Sequence, residues 1–252
     1  MAFIKNHLFK FSAKYLSKIT VLIALLPLPV KAATFLVTER AAFESNDQIN
    51  WSSLGSTFTP LPNSFSATSQ GGLGLRVNIP STNNPLITQP FVFQTSDNPG
   101  GIRTNFANGD YILFAGIDVR AFGPNPPLPT NGNPGPVTIS FDQPVFGAGT
   151  QIVVDDVFGF DTFVSAFDST NNLLGTFSAP GTSSLLLDNS AVFLGVRSDI
   201  ANISRLVFST SAQQYGVAIN QVSIIAVPEA NPTLAILILG TSSVILRLRQ
   251  RA

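Results

Sequence analysis

Apolar and polar side chains alternate along most of residues 34–226, in short runs interrupted by glycine, proline, asparagine and aspartate. In the run 137–141, Val137, Ile139 and Phe141 fall on one face of an extended strand, and hydroxyl side chains fall on the other. Apolar spacings of three and four, typical of amphipathic helices, are almost absent. The pattern therefore predicts about a dozen β-strands and no long helices in this part of the chain.

The predicted strands are less regular before residue 120 than after residue 137. Runs 161–167 and 173–177 flank a polar turn and predict a β-hairpin. The apolar parity changes within 215–224, which predicts a bulge or twist near Asn220 and Gln221. The full set of predicted strands is 35–38, 49–54, 58–67, 73–79, 91–94, 111–120, 137–141, 149–155, 161–167, 173–177, 192–196, 203–208 and 215–224.

Residues 33–226 are predicted to form one all-β domain, an antiparallel two-sheet sandwich of jelly-roll-like type. A tract rich in proline, glycine and asparagine, at about 123–136, divides the strands into two halves. We expect this tract to be an exposed loop within one domain, because each half alone supplies too few strands. A partly solenoidal β-fold is the alternative, although no repeat of 20–50 residues is visible.

The first 32 residues have the composition of a secretory signal peptide. Four lysines occupy the first 18 residues, and the apolar run 19–29 and small residues follow. This order predicts an N-terminal signal helix that signal peptidase removes between Ala32 and Ala33. A permanent N-terminal anchor is the alternative, which the helix-breaking Pro27 and Pro29 disfavour.

Residues 227–252 contain a second apolar segment. Residues 231–246 are uncharged and predict a transmembrane helix at the short end of the range needed to cross a bilayer. The arginines after it are expected to stay cytoplasmic, so that the domain 33–226 is exported across the inner membrane. A buried core helix is the alternative, disfavoured because the segment is apolar on all sides. The flanking residues are Val227, Pro228 and Glu229 before the segment and Arg247, Arg249 and Arg251 after it.

This arrangement resembles the PEP-CTERM sorting signal of Gram-negative-type bacteria, in which Val-Pro-Glu-Pro precedes a short apolar helix and an arginine-rich tail. Val227, Pro228 and Glu229 match the motif, whereas Ala230 replaces the second proline. The resemblance implies processing by an exosortase, a membrane protease-transpeptidase, near Pro228 and Glu229. It also implies a membrane-anchored precursor, a mature protein at the cell surface or outside the cell, and a role in an extracellular polysaccharide matrix.

Charge is segregated along the chain. All five lysines and the single histidine lie in the first 31 residues, and residues 34–227 hold six arginines against thirteen acids, a net charge of −7. This section contains no histidine or cysteine, which excludes imidazole- and thiol-dependent nucleophiles and metal sites built on those residues. An acidic, lysine-free surface also excludes nucleic acid as a partner.

Three carboxylates, Asp155, Asp156 and Asp161, lie within seven residues. Hard cations such as Ca²⁺ prefer oxygen ligands of this kind, so the group is the candidate metal site. A solvated turn between two strands is the alternative interpretation. No other cofactor is predicted.

No motif identifies the pair of carboxylates that a glycoside hydrolase requires, so the domain is predicted to be non-enzymatic. The first alternative function is a carbohydrate-binding adhesion module, with or without assistance from Ca²⁺, and the second, less favoured alternative is a glycoside hydrolase. Such a module needs exposed aromatic rings, and the domain offers Trp51, Tyr111 and Tyr215 besides its phenylalanines. Trp51 shares a strand face with Ile49 and is predicted to lie in the core, as are the phenylalanines.

Overall fold

The computed structural model describes residues 32–99, 101–124 and 130–228. Packing divides the chain between Ala32 and Ala33, and the β domain begins at Ala33. The predicted signal helix and the apolar segment 231–246 lie outside the described residues. Within the described ranges, no helix has both the length and the apolar character needed to cross a membrane.

Regular structure in the described ranges consists of β-strands and three short 3-10 helices. The 3-10 helices are Ala41–Phe43, Trp51–Leu54 and Val119–Phe122. The strands are β1 Thr34–Val37, β2 Asp47–Ile49, β3 Thr59–Pro60, β4 Ser64–Thr68, β5 Gly74–Asn78, β6 Phe91–Gln94, β7 Tyr111–Phe114, β8 Val137–Val145, β9 Gly147–Val154, β10 Gly159–Phe167, β11 Leu173–Thr182, β12 Val192–Ser198, β13 Ile203–Thr210, β14 Val217–Ile219 and β15 Val222–Ile225.

These strands form two sheets, and all pairs of named strands are antiparallel, which confirms the all-β, two-sheet prediction. The large sheet has the strand order β1-β12-β9-β14-β7-β6-β3, and β15 pairs with both β9 and β2. The small sheet has the order β11-β10-β13-β8-β5-β4. The predicted hairpin is present as β10 and β11, which pair along their length.

The two sheets share one apolar core. On β8 of the small sheet, Val137, Ile139 and Phe141 are buried while the two residues between them are only half-buried, as the alternation predicts. The large sheet contributes Ile152 and Leu194 to the same core. Burying each such side chain stabilises the fold by about 1.5–3 kcal/mol.

Four adjacent strands of the large sheet, β9, β14, β7 and β6, carry apolar residues on both faces. Successive side chains of a strand point to opposite faces, so each of these strands supplies two sets of apolar residues. One set, which includes Val92 and Leu113, fills the core between the sheets. The other set forms a second cluster on the outer face of the large sheet. Continuous apolar runs of this kind are expected where both faces of a sheet are covered.

The last predicted strand is interrupted where the change of apolar parity occurs. β14 ends at Ile219 and β15 begins at Val222. Asn220 and Gln221 lie between them, and β15 continues along β9 while it also pairs with β2. The interruption therefore lets one segment of chain join two parts of the large sheet.

Residues 49–54 do not form the predicted single strand. The Asn50 side chain accepts a hydrogen bond from the Ser52 N–H at 2.9 Å and caps the 3-10 helix Trp51–Leu54. The core position predicted for Trp51 is nevertheless confirmed, because its side chain is completely buried.

Residues 58–67 also differ from the prediction. Pro60 and Pro62 have no N–H to donate to a strand ladder, and the segment divides around them. β3 joins the large sheet and β4 joins the small sheet. The segment therefore crosses from one layer to the other and leaves Phe58 at the edge of the large sheet.

The predicted strand 111–120 ends at Phe114 because the chain turns at Gly116. Gly116 has φ of +135°, and a Cβ at this position would lie 2.4 Å from the carbonyl oxygen of Thr88. Only glycine fits such a close approach in that backbone region. The turn leads into the 3-10 helix Val119–Phe122, which places Phe122 outside the sheet.

The end of the tract 123–136 is not an exposed loop. Asn133 is buried, its Nδ2 donates to the carbonyl of Pro80 at 2.9 Å, and its carbonyl accepts from the Val217 N–H at 3.0 Å. These hydrogen bonds join the tract to the domain on two sides. The composition of the tract does not indicate these hydrogen bonds.

Candidate ligand-binding cleft

A row of four buried residues across the outer face of the large sheet lies beneath a cleft and forms its floor. Val153 of β9 is in register with Ala218 of β14, Ala218 with Phe114 of β7, and Phe114 with Phe91 of β6. Since neighbouring strands lie about 4.8 Å apart, the row is about 14 Å long. The cleft has a volume of about 170 Å³, and a cavity of about 150 Å³ is known to enclose a benzene-sized ring.

Phenylalanine rings form one end of the cleft. Phe58, Phe91 and Phe122 contact one another, with ring centroids 5.8–6.5 Å apart. Phe93 and Phe114 pack against Phe91 at 6.1 and 5.3 Å. Phe58 and Phe122 are 51% and 58% exposed, so their rings offer apolar surface to a ligand.

The backbone of Phe58 is strained. Its φ of +68° lies in the left-handed region, which bulky side chains rarely adopt, and its N–H donates to the carbonyl of Val92 at 2.7 Å. Strain of this kind costs about 1–2 kcal/mol and is concentrated at binding and catalytic sites. A strained backbone that holds a half-exposed aromatic ring supports a binding role for this end of the cleft.

Carboxylates lie at the other end of the cleft. Asp155 follows Val153 by two residues, and its N–H donates to the carbonyl of Gly216 at 2.9 Å, which continues the pairing beyond the end of β9. Its Oδ2 atom is buried and has no hydrogen-bond partner among the described residues. Burial, and then the nearby charge of Asp156, raises the pKa of Asp155 to about 6. Asp156 itself is exposed.

Two loops, 102–105 and 183–185, form the rim beside these carboxylates. The Oγ atom of Ser183 accepts from the N–H of the last residue of β9 at 3.0 Å, which joins the second loop to the floor. Arg103 Nε donates to the carbonyl of Leu185 at 3.1 Å, which joins the loops to each other. Of the ion pairs in the described residues, none connects Arg103 with a carboxylate of the cleft.

The structure brings together two of the three aspartates predicted as a Ca²⁺ site. Asp155 and Asp156 line the cleft, whereas Asp161 lies on β10 of the small sheet and does not line it. Across the described part of the chain, no three carboxylate, histidine or cysteine side chains are grouped so that they could hold a metal ion.

The predicted processing residues lie at the limits of the described chain. The Ala33 N–H donates to the Asp199 carboxylate at 3.1 Å, directly before β1. At the other end, the Ala226 N–H donates to the Asn46 side chain at 2.7 Å, and an exposed Val227 follows. Ala32 and Pro228 are also described, whereas Glu229, Arg247, Arg249 and Arg251 lie outside the described residues.

Sequence reasoning missed Phe58 and Phe122 because it assigned all phenylalanines to the core, and it missed Arg103 because no motif marks a single arginine in a loop. One signal could have indicated the cleft. The runs in β6, β7, β14 and residues 152–154 at the end of β9 are apolar at consecutive positions, in contrast to the alternation in β8 and β10. Such runs indicate that the outer face of the sheet is covered and can therefore hold a cleft.

No family model matches this chain, and no curated protein matches it. A DUF4465 family protein from Bacteroides caccae is similar over 73% of this chain and 98% of that chain, with 11% identity and a TM-score of 0.27. A chain from the structure of accessory secretory proteins 1, 2 and 3 of Streptococcus pneumoniae is similar over 72% and 96%, with 13% identity and a TM-score of 0.18. TM-scores this low carry no argument about fold or function.

Proposed function

We propose that this protein is an exported, non-enzymatic cell-surface or extracellular-matrix protein whose β domain binds carbohydrate in the cleft. The supporting observation is that the cleft is amphipathic along its length. Exposed phenylalanine rings at one end suit the apolar C–H face of a sugar ring, and carboxylates at the other end accept hydrogen bonds from its polar groups. We also propose the finer jelly-roll-like arrangement of the sandwich, with a signal helix before it and a transmembrane helix after it.

Replacing Phe58 or Phe122 with alanine is expected to weaken carbohydrate binding about 2- to 10-fold, since an aromatic contact is worth about 0.5–1.5 kcal/mol. A glycan array with and without Ca²⁺ identifies the ligand, and titration of the full chain measures the loss. Phe35→Ala is the matched control, because Phe35 is 44% exposed on β1 and does not line the cleft. Unchanged binding by both cleft variants would contradict this site.

We propose that the domain is not an enzyme because its cleft has acidic side chains at one end only. Glycoside hydrolysis needs two carboxylates on either side of the scissile bond. Asp155 and Asp156 are adjacent in sequence at one end of the cleft, and the described residues at the other end are apolar. We expect no turnover of glycan and peptide substrate panels. Reproducible hydrolysis that Asp155→Asn or Asp156→Asn abolishes would overturn this part of the proposal.

Routing to the surface is proposed from the resemblance of the tail to a PEP-CTERM signal. Signal peptidase, an exosortase and the membrane are the implied partners. Replacing Arg247, Arg249 and Arg251 with glutamine is expected to impair maturation, because the cationic tail holds the segment in its orientation. Immunoblotting of precursor and mature forms measures the effect. Arg76→Gln, an exposed change within the domain, is the control, and normal maturation of the triple variant would refute the routing.

A further inference from the structure

The carboxylates of the cleft indicate one class of carbohydrate. We propose that the cleft selects a cationic amino sugar, a six-membered ring with a free amine, over neutral and acidic sugars. This inference rests on the proposed carbohydrate-binding function and specifies its ligand.

Two adjacent carboxylates line the acidic end of the cleft. Asp155 Oδ2 is buried without a hydrogen-bond partner among the described residues, and Asp156 lies beside it. Oδ2 of Asp155 is out of reach of a ligand atom, but the Asp156 carboxylate is exposed, and the negative charge of Asp155 also attracts a cation bound beside Asp156. A protonated amine supplies three donors and a positive charge, whereas a hydroxyl supplies one donor and no charge. The amine therefore suits two adjacent carboxylates better than any neutral sugar group.

The charge around the cleft is negative. Asp155, Asp156 and Arg103 are the titratable side chains among the described residues that line the cleft. Two carboxylates against one guanidinium leave a net charge of −1 at this end when all three are ionised, and Arg103 is held away from the carboxylates by its hydrogen bond to the carbonyl of Leu185. Residues 34–227 as a whole, including the cleft, carry a net charge of −7 and contain no lysine. Such a field attracts a cationic polymer and repels an anionic one.

The size of the cleft can be compared with that of one sugar ring. A volume of about 170 Å³ has room for the six ring atoms of one sugar, and the cleft is open on one side, so the substituents of the ring can extend out of it. The exposed faces of Phe58 and Phe122 can contact the C–H groups of a neighbouring unit at the apolar end, and aromatic faces also attract cations. The cleft therefore combines a ring-sized apolar floor with a site for positive charge.

Titration of the full chain with oligomers of glucosamine, N-acetylglucosamine and glucose of equal length tests this inference. At pH 7 we expect the glucosamine oligomer to bind at least about 10-fold more tightly than either neutral oligomer. Asp155→Asn is expected to remove most of this preference while binding to the neutral oligomers remains. Asp161→Asn is the matched control, since it makes the same change of charge at an exposed aspartate outside the cleft.

The pH dependence supplies an independent readout. As the pH decreases through about 6, the preference of the unchanged protein is expected to fall relative to that of Asp155→Asn, because Asp155 becomes protonated while the ligand amine titrates equally for both proteins. Equal binding of all three oligomers would overturn the amino-sugar inference and leave the carbohydrate function intact. Failure of every glycan to bind would overturn both. An equal loss of preference in Asp161→Asn would also overturn the amino-sugar inference, because the amine would then be attracted by the negative charge of the whole domain and not by the cleft. Thermal unfolding of each variant verifies that it is folded.

Discussion

Asn220→Ala is expected to lower the free energy of unfolding by about 3–5 kcal/mol, because it breaks a buried polar network that includes a charge. Asn220 is 4% exposed and lies between β14 and β15. Its Oδ1 accepts from Arg40 Nη2 at 2.7 Å. Its Nδ2 donates to Asp110 Oδ2 at 3.0 Å and to Gln151 Oε1 at 2.7 Å. Alanine leaves all of these groups with one partner fewer.

Arg40 makes this loss severe. Its guanidinium is largely buried, and this burial lowers the pKa of Arg40 although the charge of Asp110 opposes the shift. Chemical denaturation of the full chain measures the change. Asn108→Ala, at an exposed asparagine, is the matched control and is expected to change the stability by no more than about 0.5 kcal/mol. Equal stability of the two variants would contradict the importance of the network.

Asp155→Asn is expected to stabilise the fold at pH 7.5 by up to about 3 kcal/mol and to have little effect at pH 4. The ordinary pKa of aspartate is 3.8, and the pKa of Asp155 in the folded protein is about 6. The folded state therefore binds this proton more tightly than the unfolded state does. Stability is lost as the pH rises from about 4 to about 6, at about 1.4 kcal/mol for each pH unit. Asparagine has nearly the same shape and carries no charge to desolvate.

Denaturation at both pH values measures this effect, with Asp161→Asn as the exposed control. A loss of stability in Asp155→Asn at pH 7.5, or the same gain at pH 4, would contradict the burial of an ionisable carboxylate. A residue that weakens the fold but contributes to binding is expected at a functional site, where stability and activity oppose each other. The expected stabilisation of Asp155→Asn and its expected loss of amino-sugar preference are therefore two consequences of one buried charge.

The local pattern of apolar and polar residues was sufficient to predict the features that depend only on residues close together in the sequence. Alternation in β8, the hairpin of β10 and β11, and the interruption at Asn220 each depend on nearby residues, and each is present. The 3-10 helix at Trp51 was missed because a side-chain cap at Asn50 overrode the strand pattern. The crossing between sheets at Pro60 was missed because a strand pattern does not specify which sheet a strand joins.

The cleft could be predicted only in part. Two-residue periodicity places Asp155 on the same face as Val153, so the outward position of one carboxylate could be read from the sequence. The floor of the cleft could not be predicted from the sequence, because its residues come from strands far apart in the chain. These residues are Phe91, Phe114, Val153 and Ala218. Their alignment depends on the strand order and register of the large sheet, which tertiary packing determines.

Hydrogen–deuterium exchange of the full chain, with and without a saturating glucosamine oligomer, tests most directly whether the cleft holds the ligand. We expect slower exchange in residues 154–157 and 183–185 and around Phe58 when the oligomer is bound. Slower exchange confined to the separate cavity beside Asp47 and Asp142, with no change in the cleft, would contradict this expectation.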